Sequence, residues 1–299
     1  MAELRAETAP SLGRDALSGR LELALVALDD VSGPAAAWQR GWILTAVGRY
    51  GEALSACAQA QQGPPMLQAS ALMVQAMLYR QISLHDRAET ADEEALAVLR
   101  RGRVRSASVR AAIRVGQVAD AVGLALDQTV LTRRLRIAAA AVTAAGSWRQ
   151  GVRLTWVRGE VLMVRGDFSR ASRVFAAGAK VASGQGARRH HAKSLIFLAA
   201  SLAAAGDVNE AARMAERGLR LAARCGASPL IWPAELILAE VDPERHEAHL
   251  ARARQFAAGV LETLPAPLQA EALQRTPADW LVGDSRSEPA SVMNPATDA

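Results

Sequence analysis

The sequence has few of the residues that stabilise small proteins by cross-links. Cys57 and Cys225 are the only cysteines, and aromatic residues make up 4% of the 299 residues. No CxxC motif and no Cys/His pair at zinc spacing is present, which argues against a disulfide framework and against a structural zinc site. We therefore expect both thiols to be small buried side chains in a reducing compartment.

Long apolar runs are also missing. The longest one lies between Ser194 and Gly206, which is too short for a bilayer-spanning helix of roughly 20 residues. The first ten residues contain two acidic side chains and no apolar core, unlike a secretory signal. These features predict a cytoplasmic protein with no membrane partner.

Lysine is nearly absent: Lys180 and Lys193 are the only two. The formal net charge is nevertheless +5. Arginine carries almost all of the positive charge and stays protonated under ordinary conditions. Such a balance permits an acidic partner, nucleic acid included. A net charge of this size is only weak evidence for one.

The chain is rich in alanine and leucine at helical spacing, and it shows no alternation of period two. We predict a first helix from Asp15 to Asp30 and a capping segment over 268–281. Between them the breaks define six helix pairs: 35–47 with 50–61, 66–82 with 85–101, 104–124 with 127–145, 148–165 with 167–183, 187–205 with 207–224, and 229–240 with 243–264. Breaks this short make paired helices antiparallel neighbours. Stacked pairs bury their apolar faces together, which predicts a solenoid.

Small residues recur at fixed places in these pairs. Gly166-Asp167-Phe168 is followed by Ala171, and forty residues later Gly206-Asp207-Val208 is followed by Ala211. A small residue that recurs on an apolar helix face predicts that another helix comes very close there.

This pattern resembles the tetratricopeptide repeat (TPR), a helix pair with small and large apolar residues at set positions. The pair over 148–183 matches the repeat in seven places: Gly159, Leu162, Gly166, Phe168, Ala171, Phe175 and Gly178. The resemblance implies an all-α, right-handed solenoid of about six antiparallel helix pairs over 14–282. We expect a flexible N-terminus at 1–13 and, because residues 283–299 are Ser/Pro/Asp-rich and lack periodicity, a disordered tail there. Two features depart from the pattern: the spacing is near 40 residues instead of 34, and Asp92 stands where a large apolar residue is expected.

The C-terminal region, over 218–241 and 261–281, resembles the helical-repeat tail of large bacterial signal-transducing ATPases and their regulator relatives. The sequence has no GxxxxGK[ST] motif and no segment after Leu281 long enough for a helix-turn-helix domain. This second resemblance therefore implies a freestanding repeat module.

Few residue patterns suggest catalysis or metal binding. His246 and His249 are three residues apart, whereas the HExxH zinc motif requires four. Arg188 to His191, followed by Lys193, place cationic groups at a predicted helix start where phosphate could bind; a polar turn between repeats is the alternative. We find no nucleophile elbow and no dinucleotide fingerprint, so we expect a non-enzymatic protein without a metal or cofactor.

Arginines are concentrated in and around the third predicted pair. If the helices stack, they could form one basic ridge for an acidic peptide or phosphates; solvated helix faces are the alternative. No aromatic residues alternate with them, which makes nucleic acid the less favoured partner. The predicted ridge comprises Arg100, Arg101, Arg103, Arg105, Arg110, Arg133, Arg134 and Arg136.

In TPR proteins the first helix of each pair faces a concave groove. The resemblance places one set of residues there: Trp38, Trp42, Met73, Met77, Arg80, Arg153, Trp156, Glu160, Met163, Lys193 and Ile196. Trp and Arg are frequent binding hot spots, and Met suits adaptable surfaces; packing of the tryptophans between helices is the alternative.

We expect this groove to bind a protein or peptide, an acidic one included, as an adaptor or regulatory scaffold. The alternative is a ligand- or signal-peptide-sensing module of a bacterial transcriptional regulatory system. A sensor should enclose its site between repeats, whereas an adaptor should present an open groove.

Overall fold

The structure is a computed structural model and describes residues 20–275. This part of the chain forms fourteen α-helices and no strand. The helices are α1 (Leu21–Val26), α2 (Pro34–Val47), α3 (Tyr50–Ala60), α4 (Pro65–Gln81), α5 (His85–Arg101), α6 (Ala107–Gly123), α7 (Gln128–Ala145), α8 (Trp148–Val164), α9 (Phe168–Gly184), α10 (Arg188–Ala204), α11 (Val208–Arg224), α12 (Ile231–Val241), α13 (His246–Leu261) and α14 (Ala266–Arg275). The six predicted pairs are α2/α3 through α12/α13. The predicted segments 1–13 and 283–299 lie outside the described residues, as do residues 15–19 of the first predicted helix and residues 276–281 of the capping segment.

Glycine and aspartate set the boundaries of the later helices. Gly166 and Gly206 have φ values of 72° and 84°, in the left-handed region that glycine adopts at little cost and that commonly ends helices. The following Asp167 and Asp207 accept hydrogen bonds from backbone N–H groups in the next helix. The repeated Gly-Asp pair therefore stops one helix and caps the next.

The helices form two layers. Each first helix contacts the first helix of the next pair, in the order α2, α4, α6, α8, α10, α12. Each second helix packs against its own partner and against the next first helix. The first helices therefore form the inner layer of an all-α solenoid, as predicted. We call its inward face the inner wall.

The small residues mark close helix contacts, as predicted. A Cβ atom on Gly159 would collide with the ring of Phe175, and one on Gly178 would collide with Thr155 Oγ1. Ala171 is fully buried. The glycines therefore let α8 and α9 approach each other closely.

The sequence did not predict that the two ends of the solenoid meet. Tyr50 N donates to Thr263 Oγ1 at 2.9 Å, and Thr263 Oγ1 donates to Gly48 O at 3.2 Å. A Cβ atom on Gly51 would collide with Thr263 O. One apolar cluster joins residues of α1–α5 with residues of α10–α14. We call this junction of the first and last pairs the seam.

Ion pairs extend the seam. Arg87 Nε lies 2.8 Å from Glu271 Oε2, and Arg275 Nη2 lies 2.8 Å from Asp86 Oδ2. These pairs attach α14 to the start of α5, so the last described helix lies against the second pair. Each helix within residues 20–275 is too short or too polar to traverse a lipid bilayer.

Candidate binding site

Two groups of charged residues lie on the inner wall or beside it. The first, which we call the paired network, consists of Arg80, His85, Asp92 and Asp120 on α4, α5 and α6. The second, which we call the cationic cluster, consists of Arg149 and Arg153 on α8 and of Arg189 and Lys193 on α10.

In the paired network, opposite charges are in direct contact. Arg80 Nε and Nη2 donate to the two carboxylate oxygens of Asp120 at 2.9 and 2.8 Å, and Nη2 also donates to Asp92. His85 Nδ1 lies 3.2 Å from Asp120 Oδ1. Asp92 Oδ1 has no hydrogen-bond partner in the described part of the chain. A bidentate arginine–carboxylate contact of this kind is strong and directional.

Glycine makes room for this network. A Cβ atom on Gly116 would lie 2.5 Å from the Arg80 guanidinium, so the guanidinium rests on the backbone of α6. Burial alone would lower the pKa of Arg80, but the charges of Asp92 and Asp120 and the hydrogen bonds to them raise it. This pairing also explains why Asp92 departs from the TPR pattern: it serves as a counter-ion to Arg80 in a place where the pattern has an apolar side chain.

The cationic cluster has no such partners. None of its four side chains has a carboxylate oxygen within 4.0 Å among residues 20–275. Arg189 is 8% exposed, and its Nε has no hydrogen-bond partner there. Arg153 is half-buried and donates to Gln150 Oε1 at 3.3 Å. An unpaired buried charge destabilises the fold unless a partner is supplied.

Aromatic rings lie against two of these cations, Arg149 and Lys193. The His190 ring stacks on Trp156, with centroids 5.5 Å apart, and meets Trp148 edge-on at 5.8 Å. Lys193 Nζ lies 4.9 Å from the Trp156 centroid and 5.3 Å from that of Phe197. Arg149 Cζ lies 5.8 Å from the Trp148 centroid. These cation–π contacts stabilise the cations in part, but they leave their hydrogen-bond donors free.

Burial and mutual repulsion act together on the cluster. Burial, followed by the charges of Arg80, Arg149 and Arg189, lowers the pKa of Arg153 to about 10, with the charge of Asp92 opposing the shift. Burial is also the largest cause that lowers the pKa of Lys193, to about 8, although the charge of Glu160 opposes the shift. The pKa of His190 is held well below its ordinary value by burial and by the cations around it, so this ring is neutral at pH 7.

The predicted groove residues all lie on first helices, but they differ in exposure. Met73, Trp156 and Ile196 are buried. The rest are partly exposed: Trp38, Trp42, Met77, Arg80, Arg153, Glu160, Met163 and Lys193. Trp156 Nε1 donates to Ser194 Oγ at 2.8 Å, and the donors of Arg80 are taken by carboxylates. These two residues therefore contribute to packing. The groove residues whose charged groups have no counter-ion within residues 20–275 lie on α8 and α10, and Trp38 on α2 has an unpartnered Nε1.

The predicted basic ridge is only partly assembled. Arg100, Arg110 and Arg134 lie near enough to Arg114 that their charges, after burial, lower its pKa. Arg101 is paired with Glu94 at 2.6 Å, and Arg134 is paired with Glu89. The other predicted members are exposed: Arg103, Arg105, Arg133 and Arg136. A role for the ridge in binding stays a prediction.

The histidine pair His246/His249 has a structural explanation. His249 Nδ1 lies 2.5 Å from Glu235 Oε2, and Arg252 Nε donates to Glu235 Oε1 at 2.9 Å. These contacts join α12 to α13. Over residues 20–275, no three His, Cys, Asp or Glu side chains are grouped as metal ligands.

Sequence reasoning missed Arg149, Trp148 and Phe197, and it took the start of α10 for a helix-terminus feature. A signal was available, since Arg149 and Arg153 are repeated forty residues later as Arg189 and Lys193. Because consecutive repeats stack, equivalent positions come side by side. The recurrence of cations at one repeat spacing therefore indicated a cluster.

A cavity of about 280 Å³ lies elsewhere, at the seam, between Val47–Arg49 and residues of α13. Its charged lining residue, Arg49, is already paired with Glu52. The unpartnered polar atoms of the inner wall make that surface the better candidate for a binding site.

No protein-family model matches this sequence, and no curated protein matches it. Among solved structures, a Rap protein complexed with competence and sporulation factor has 14% identity and a TM-score of 0.60 over 88% of this chain and 80% of that chain. A signal-transduction ATPase with numerous domains and a TPR sensor, from Pyrococcus horikoshii, has 12% identity and a TM-score of 0.49 over 85% of this chain and 39% of that one. RapI in its apo form has 12% identity and a TM-score of 0.44 over 83% and 75%. At 14% identity the first likeness shows the fold alone, and it confirms the predicted TPR-like solenoid.

Proposed function

We propose that this chain is a non-enzymatic, cytoplasmic regulatory scaffold that binds a peptide or protein segment against its inner wall. The main support comes from α8 and α10, where partly exposed aromatic rings lie beside cations that lack counter-ions. Aromatic and arginine side chains with free donors are typical of binding hot spots.

A second candidate, a ligand- or signal-peptide-sensing module of a bacterial transcriptional regulatory system, is favoured by the seam. Because the first and last pairs touch, the inner wall lies within a ring of helices, and an enclosed site is what distinguishes a sensor from an adaptor. The Rap protein with the similar fold was determined in complex with competence and sporulation factor, which supports a peptide or protein ligand for this chain too.

The test is capture of a ligand by the purified full chain. The chain is incubated with a low-molecular-mass fraction of a cell extract, desalted, denatured and analysed by mass spectrometry. Phe197→Ala removes a half-buried ring of the inner wall, and Ile137→Ala removes an exposed side chain of α7 as the matched control. Circular dichroism checks that both variants fold.

We expect the wild type and Ile137→Ala to retain the same peptide or small molecule and Phe197→Ala to bind it at least about tenfold more weakly, which corresponds to about 1.4 kcal/mol. Equal retention by both variants would contradict binding at the inner wall. Retention of nothing by the wild type, with intact proteins captured from whole lysate instead, would leave the adaptor and reject the sensor.

A further inference from the structure

The cationic cluster is a built site without its counter-charge. Four cations come from equivalent positions of two consecutive repeats. The charges of Arg149 and Arg189 act on Arg153, and the charges of Arg153 and Arg189 act on Lys193. Asp92 and Asp120 are already engaged by Arg80. This leaves Glu160 as the carboxylate whose charge chiefly opposes the shift at Lys193.

Unlike isolated arginines at a protein surface, the four side chains of the cluster are partly or fully buried. Arg189 is more than nine-tenths buried with an unpartnered Nε, and the neighbouring His190 is 4% exposed and neutral. At a surface, water or a flexible counter-ion would satisfy such groups, whereas here aromatic rings occupy one side of Arg149 and of Lys193. Donors that are held in place and left unpaired are preorganised for an anion.

We propose that the cationic cluster binds a ligand group with about two negative charges, a phosphate or a pair of carboxylates, lying against Trp148 and Trp156. The proposal rests on the proposed function in that the ligand enters the ring of helices. A single carboxylate would leave most of the positive charge unpaired, whereas a dianion offers acceptors to arginines from both helices. The negative charge of the ligand should therefore contribute more to recognition than the apolar part of the ligand does.

Thermal unfolding of the full chain in the presence of simple anions tests this. The probes are inorganic phosphate, succinate and acetate at pH 7, with chloride added to hold the ionic strength constant. Arg153→Gln, Arg189→Gln and Lys193→Gln remove one cation each, so that one poorly folded variant does not decide the result. Arg136→Gln, an exposed arginine of α7, is the matched control.

We expect phosphate or succinate to raise the Tm of the wild type and of Arg136→Gln by about 3–6 °C at ten times the dissociation constant. The rise should fall by at least half in the three cluster variants, and acetate should give a smaller rise than the more effective dianion. Phosphate acting alone identifies a phosphoryl group, and succinate acting alone identifies paired carboxylates.

The proposal is overturned if no anion raises the Tm beyond the chloride control, if acetate equals the dianions, or if the cluster variants keep the full rise. One result would reject the anion site without rejecting the proposed function. A captured ligand that is lost in Phe197→Ala yet unaffected in Arg153→Gln and Lys193→Gln would reject the anion site and retain inner-wall binding.

Discussion

The paired network, on α4, α5 and α6, and the cationic cluster, on α8 and α10, both include arginines of the inner wall. In the network, two carboxylates hold Arg80 and raise its pKa, whereas in the cluster burial and repulsion lower the pKa of Arg153. Arg80 therefore links helices through its carboxylate partners, whereas Arg153 has donors without a counter-ion. The presence of arginine on a concave surface therefore says little about binding until its partners are known.

The largest effect should come from breaking the paired network. Arg80→Met leaves Asp92 and Asp120 buried without a cation, so we expect the free energy of unfolding to fall by about 3–5 kcal/mol. Urea unfolding followed by circular dichroism measures it.

Arg153→Met is the matched substitution in the cationic cluster. It removes an unpaired charge and keeps an apolar stem, so we expect a stability within about 1 kcal/mol of the wild type, or higher. Similar losses in the two variants would show that the two regions do not differ as described.

Glycine substitutions probe the same contrast through packing. Gly116→Ala places a Cβ against the Arg80 guanidinium, and we expect a loss of about 1–3 kcal/mol. Gly151→Ala on α8 meets nothing within 4 Å and should gain about 0.5–1 kcal/mol, because alanine favours the helix. Thermal unfolding compares the two, and a gain in both would mean that Arg80 is free to move.

The pH dependence of the free energy of unfolding should reveal the buried Lys193 of the cationic cluster. The pKa of Lys193 is about 8 in the folded chain, below its ordinary value of 10.5. The folded state therefore releases this proton before the unfolded state does, and stability rises as pH rises from about 8 to 10.5. This rise in the free energy of unfolding, on the order of 1–2 kcal/mol, should be absent in Lys193→Met. Urea midpoints at pH 8 and pH 10 measure the difference, and an unchanged rise in the variant would refute it.

The smallest effect extends the comparison to uncharged donors. Trp156 Nε1 has a partner in Ser194, whereas Trp38 Nε1 is buried without one in the described residues. Trp156→Phe should therefore cost about 1 kcal/mol, and Trp38→Phe should be close to neutral. Chemical denaturation of both variants checks the order, which would be reversed if Trp38 were the better satisfied side chain.

Much of the fold could be predicted from local sequence. Gly-Asp breaks fixed the helix limits, and recurring residues such as Gly159 and Ala171 identified the close contacts within pairs. These signals are local, and a solenoid is assembled from local contacts. The seam could not be foreseen, because it joins Gly48 and Thr263 through the accumulated curvature of six pairs. The pairing of Arg80 with Asp120, forty residues away, was hidden for the same reason.

The candidate site was predictable only as a surface. The groove positions lie on first helices, but exposure and pairing depend on which side chains meet across consecutive repeats. Arg80 and Arg153 were equivalent candidates in sequence. Only the positions of the carboxylates distinguish them.

The seam also bears on how the chain folds. In an open solenoid each repeat contacts only its neighbours, so the array can fray from either end and unfold in steps. Here the bond from Tyr50 to Thr263 spans 213 residues, and it cannot form until the pairs between them are in place. The two ends therefore protect each other from fraying, and the closed ring should gain and lose its structure as one cooperative unit, at the cost of the slow folding that long-range contacts impose.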